Sequence, residues 1–144
     1  MRRYCGNIYQ NARKTAKLTQ EQAAEAIYIS TRSLVDYETG KTIPSDEAVC
    51  RMIEVYRAEW LGYQHLKQST LVGEKYLPDI EFSDLAKSVL RLQKEVGDLD
   101  NIHRDMVDIA CDGKICSHEE PRWRNITKEV YEMAGAALAV IFSR

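Results

Sequence analysis

The chain has 144 residues, 44% of them hydrophobic and 29% charged, enough for one ordinary domain or two small ones with a buried core. No apolar run approaches the length that spans a bilayer, and the polar segment after Met1-Arg2-Arg3 has no signal-peptide pattern, so a cytoplasmic, globular protein free of membrane is expected. The net charge of −2 hides a division: residues 1–44 hold seven Lys and Arg (Arg2, Arg3, Arg13, Lys14, Lys17, Arg32, Lys41) against four acids (Glu21, Glu25, Asp36, Glu38), whereas residues 71–144 hold ten against fourteen.

A first helix is predicted from about Gly6 to Ala16, with Ile8, Tyr9 and Ala12 at helical spacing. Thr19 can cap a second over Gln20–Ile27, because a hydroxyl there satisfies free backbone amides. Ser30 can cap a third over Thr31–Thr39, which Gly40 would end in left-handed geometry. Pro44-Ser45-Asp46 opens a fourth, with Ala48, Val49, Met52, Ile53 and Tyr56 as its buried stripe. Trp60, Leu61 and Leu66 suggest a fifth that closes the bundle.

Residues 71–83 contain Gly73 and Pro78 and read as a linker between a domain over 1–70 and a second unit over 84–144. Ser83 would cap a long helix. Its apolar residues Leu85, Val89, Leu92, Val96, Leu99, Ile102, Met106 and Ile109 recur at three- and four-residue intervals, close to a heptad seam. Asp112-Gly113 breaks it, and Ser117 with Glu120 has the capping-box spacing that starts a last helix striped by Trp123, Ile126, Val130, Met133, Ala137 and Val140 or Ile141. Two such helices make an antiparallel hairpin. Gly135, Ala136, Ala137 and Ala139 would admit another backbone closely. A lone hairpin leaves one side uncovered, so dimerisation through Leu92, Val96, Leu99, Val130, Met133 and Ala137 is expected. The fold class is all-α: a five-helix head followed by a helical hairpin.

The run Leu18-Thr-Gln-Glu-Gln-Ala-Ala-Glu-Ala-Ile27, continued by Ser30-Thr-Arg-Ser-Leu-Val-Asp-Tyr-Glu-Thr-Gly40, resembles the Cro/CI repressor family, also called the XRE family. The resemblance covers about residues 6–58 and implies a helix-turn-helix whose second helix enters the major groove of an operator. Ala23, Ile27, Ile29, Leu34 and Tyr37 would face inward, and Ala24 is small where the two helices cross. Position by position, the family implies base contacts from Thr31, Arg32 and Asp36, with Val35 beside them on the same surface. Arg32 suits guanine O6 and N7, while Asp36 would accept from cytosine N4 or orient Arg32. Gln20 matches a phosphate-contacting position at a helix N-terminus, and Ser33, Lys41 and Thr42 are further phosphate candidates. Arg13 and Glu38 match a partly buried ion pair within the domain. Where the family has Gly in the turn, this chain has Tyr28; a non-Gly residue at positive φ costs roughly 1 kcal/mol.

The implied function is a transcriptional regulator, a repressor by type, that binds double-stranded DNA as a homodimer or higher homo-oligomer, since one head with a charge of +3 gains little from counterion release. The second half is loosely similar to the C-terminal part of phage CII-type regulatory proteins. Two alternatives stand beside this: an antitoxin or adaptor whose C-terminal half holds a protein partner, and a hairpin that senses a metal.

Asp108 to Glu119 has the length of a calcium-binding loop, but Ala110 and Cys116 stand where oxygen ligands belong, and a tight Asp-Gly turn is favoured. Cys111, Cys116, His118 and His103 lack a second pair at zinc spacing. The four cysteines, Cys5 included, read as reduced and partly buried thiols. Neither a cofactor nor a metal is expected. No nucleophile or phosphate-loop motif is present, so an enzyme is not expected.

Overall fold

The computed structural model describes residues 7–143, and among these there are eight helices and no strand. Gly6, at the expected start of the first helix, lies outside the described residues, as do Arg2, Arg3 and Cys5. The chain divides into two compact units, Met1–Leu77 and Pro78–Arg144.

The first unit contains α1 (Ile8–Thr15), α2 (Gln20–Ala26), α3 (Thr31–Glu38), α4 (Asp46–Tyr56), α5 (Trp60–Ser69) and α6 (Leu71–Tyr76). Small polar residues start the first four helices, as capping chemistry requires. Asn7 accepts from the Tyr9 amide, Thr19 and Gln22 form a reciprocal capping box, and Ser30 and Ser45 accept from the Ser33 and Ala48 amides. The helices also stop by a shared device. After α3, the Gly40 amide donates to the Tyr37 carbonyl at 3.1 Å and the Lys41 amide to the Asp36 carbonyl at 2.9 Å, a Schellman end with Gly40 at φ +74°. Lys17 (φ 58°) and Tyr28 (φ 59°) end α1 and α2 in the same left-handed way without glycine.

Ala12, Ala23, Ile27, Leu34, Met52 and Leu61 are wholly buried in one core with Ile8, Tyr9, Ala24, Val49, Tyr56 and Ala58. Ile29 and Tyr37 pack against it. His65 fills a polar niche at its edge: Tyr9 Oη lies 2.8 Å from Nδ1 and Asp46 Oδ1 lies 3.1 Å from Nε2. Burial pushes the Tyr9 phenol up to about 12, so it stays protonated in this bond.

The expected linker over 71–83 is only partly a linker. Its first half is α6, capped by Thr70, whose Oγ1 accepts from the Gly73 amide at 2.8 Å. Gly73 is a packing residue rather than a loop signal, since a Cβ there would sit 2.0 Å from the Leu66 carbonyl oxygen.

The second unit holds α7 (Leu85–Ala110) and α8 (Glu120–Phe142), which pack against each other. α7 is capped by Asp84, which accepts from the Lys87 amide at 2.9 Å, while Ser83 instead bonds Ser88. The Ser117–Glu120 box does not form either. Glu119 is the residue before α8, and its carboxylate accepts from the Cys116 amide at 2.8 Å. Gly113 turns at φ +74° and Asp112 accepts from the Lys114 amide at 2.9 Å, so the chain reverses through a local Asx turn.

The seam of α7 departs from the expected one. Ser88, Glu95 and Ile109 are its buried residues and Leu92, Leu99, Ile102 and Met106 are half-buried, which together give strict four-three spacing. Leu85, Val89 and Val96 stand outside this stripe and are exposed. On α8, Ile126, Gly135, Ala136 and Ala139 are buried, and Val130, Met133 and Ala137 half-buried. The backbone admitted at Gly135 is the chain's own: a Cβ there would lie 2.6 Å from the Asp79 carbonyl oxygen. No helix is long and apolar enough to cross a membrane, among the described residues.

Candidate nucleic-acid interface

The position of α3 is fixed at both ends before any of its outward side chains matter. Its inner face carries Leu34 and Glu38, both buried and four residues apart. Glu38 is met by Arg13 in a two-pronged pair, with Nε 2.5 Å from Oε1 and Nη2 2.9 Å from Oε2. The remaining guanidinium nitrogen donates to the Leu18 carbonyl at 2.8 Å, and Gln20 Nε2 donates to Glu38 Oε2 at 2.9 Å. One carboxylate on α3 thereby ties down α1, the start of α2 and the loop between them. Burial alone would raise the Glu38 carboxyl, but the hydrogen bonds from Arg13 and Gln20 and the Arg13 charge outweigh it and hold it below the ordinary range. The same pairing raises Arg13.

Two further bonds complete the clamp, and the sequence pattern does not announce them. Asn7 Nδ2 donates to the Tyr37 carbonyl at 2.7 Å, satisfying an end of α3. Arg51 Nε, from α4, donates to the Ile27 carbonyl at 2.8 Å and so holds the turn between α2 and α3. Both donors sit far in sequence from the groups they serve.

The opposite face of α3 is where Arg32 and Asp36 lie, one turn apart, with Thr31 and Val35 half-buried on its flank. Arg32 is exposed and makes no ion pair or hydrogen bond with the described residues. Asp36 does not orient it. The Asp36 carboxylate is instead 3.2 Å from Lys41 Nζ, beyond the Schellman end. That pair offsets the negative charge on the outward face but is exposed enough to contribute little stability. Ser33 is engaged with the cap, its Oγ 2.8 Å from Ser30 Oγ. Thr42 is exposed. Gln20 keeps its side-chain oxygen while its amide serves Glu38.

The cysteines do not behave as expected. Cys50, Cys111 and Cys116 are free and exposed rather than buried. The Glu119 carboxylate beside Cys116 raises its thiol, which disfavours the thiolate that a metal would need. Among the described residues, Cys111, Cys116, His103 and His118 do not come together as a ligand set.

Two short helices set over a common core, the second pinned from behind and carrying a free guanidinium in front, have the arrangement of a helix-turn-helix. Residues 10–60, about a third of the chain, match the helix-turn-helix family model. This part of the chain is similar to XRE-type helix-turn-helix domains. No curated protein and no solved structure matches the chain. The family match ends at residue 60, and the expected similarity of the second half to phage CII-type proteins finds no support in these comparisons.

Proposed function

We propose that the protein is a sequence-specific transcriptional repressor, of phage or bacterial type, that lays α3 in the major groove. The observation that carries this is the free Arg32 guanidinium, held one turn from Asp36 on a helix whose opposite face is locked by Arg13, Gln20 and Glu38. A planar fork on a fixed helix suits the N7 and O6 of guanine. Thr31, Val35 and Asp36 would contact the neighbouring base edges. Gln20, Ser33, Lys41 and Thr42 would meet phosphates, with Lys41 exchanging Asp36 for the backbone of the duplex. The acidic second unit would join two heads, since no single head carries enough charge to hold DNA by electrostatics. The exposed Leu85, Val89 and Val96 give α7 an apolar strip left over after α8 has packed.

The test is Arg32→Ala, measured against an operator obtained by selection and against single-base variants of it. A loss of ~1–3 kcal/mol confined to one base position of each half-site is expected. Equal weakening on every sequence would remove Arg32 from base reading.

A further inference from the structure

Glu95 stands where a helix hairpin should have an apolar residue. It occupies the buried stripe of α7 between Leu92 and Leu99, at 5% exposure. One of its carboxylate oxygens, Oε2, is buried with no hydrogen-bond partner. The other lies 3.4 Å from Lys94 Nζ, which sits closer to Asp98, at 2.7 Å. A buried carboxylate with an empty oxygen is costly enough that it persists only where something compensates it.

Two acidic groups across the hairpin make the deficit larger. Glu129 and Glu132, three apart on α8, bring carboxylate oxygens within 4.8 Å of one another and of Glu95. Glu132 has Lys128 at 3.5 Å, a side chain two-thirds exposed, and Glu129 has no ion pair among the described residues. Three carboxylates thus converge on one point, one of them buried and two half-buried, with Lys94 and Lys128 approaching only from exposed positions. Facing helices that aim carboxylates inward are a recurring way to build a metal site in a bundle.

We infer that Glu95, Glu129 and Glu132 form a binding site for a hard divalent cation of the Mn2+ or Mg2+ class. The donor set is all oxygen, which suits these ions and not zinc or copper, for which His and Cys are the fitting ligands. Water would complete the coordination on the side where Glu129 and Glu132 are open to solvent. The site lies on the helices, away from the 108–119 turn, and does not depend on what the head binds.

The test uses the full chain stripped of metal with a chelator, titrated with Mn2+ while free Mn2+ is followed by electron paramagnetic resonance. Wild type should bind one Mn2+ per chain, with Mg2+ competing, and saturation should raise the melting temperature of the second unit by roughly 5 °C or more. Glu129→Gln, at a half-buried position, should fold and weaken Mn2+ binding at least about tenfold. Glu95→Gln should lose the response, and its metal-free form should melt higher than metal-free wild type, because a buried charge is gone. No Mn2+ binding by wild type would overturn the site. So would a response retained in Glu129→Gln, which would put the ion elsewhere, or a metal-free stability that rises with protein concentration and ignores Mn2+, which would make a second copy the partner of Glu95.

Discussion

Replacing Glu38 by Gln is the perturbation with the sharpest structural consequence. The carboxylate is 1% exposed at its side chain and Arg13 is 9% exposed, so the guanidinium left behind keeps its charge with only the Leu18 carbonyl and a neutral amide oxygen to face. The Gln20 amide loses its charged acceptor as well. Removing one partner of a buried pair costs about 3–5 kcal/mol; Gln retains shape and one acceptor, which places the loss near 3 kcal/mol. Trp60 lies in the first unit and Trp123 in the second, so in a Trp123→Phe background the fluorescence of Trp60 follows the head alone. With urea slopes of about 1–3 kcal/mol per M, the midpoint should fall by at least about 1 M. The double change Arg13→Met, Glu38→Leu should recover most of that loss. The pH dependence has a definite sign. Because the Glu38 carboxyl is held below its ordinary value of 4.5, its contribution is complete above that value and disappears as pH falls through the depressed one. The Glu38→Gln head should lack this acid-dependent loss. A single substitution that costs under about 1 kcal/mol, or a double change no better than either single, would refute the buried clamp as the device that holds α3.

Tyr28 has φ 59° and is 85% exposed, so Tyr28→Gly relieves left-handed strain without losing packing; a gain of about 0.5–1 kcal/mol is expected after the entropy of an added glycine is set against it, and a lower melting temperature would contradict it. A chain ending at Leu77 keeps the whole core of the head. It should fold yet bind operator about 100-fold or more weakly than the full chain, and equal affinity would take the second unit out of DNA binding.

The head was legible because local chemistry and packing agree there. Thr19, Ser30 and Ser45 announce helix starts, Gly40 an end, and Ala23, Ala24, Ile27 and Leu34 can only face inward once those limits are set. The family resemblance, and not the spacing, singled out Arg13 with Glu38. What stayed hidden was long-range: Arg51 reaching the Ile27 carbonyl, Asn7 reaching that of Tyr37, and His65 between Tyr9 and Asp46. No periodicity encodes such bonds. The second unit misleads because α7 carries more apolar residues than one face can use. A hydrophobic seam drawn through Leu85, Val89 and Val96 passes over Ser88 and Glu95, which are buried while those three are exposed. Polar side chains in a buried stripe cannot be found by following hydrophobicity. Gly73 and Gly135 mislead for a related reason, since each marks close packing of the chain upon itself rather than a loop or a contact with another molecule.

Selection of bound sequences from random duplex DNA by the full-length protein tests most directly whether α3 reads an operator with two heads at once. The expected result is an inverted pair of half-sites whose centres lie about 10–10.5 base pairs apart, or a multiple of that, each with a guanine position that Arg32→Ala relaxes. Recovery of no enriched sequence, or of isolated half-sites with no fixed spacing, would contradict it.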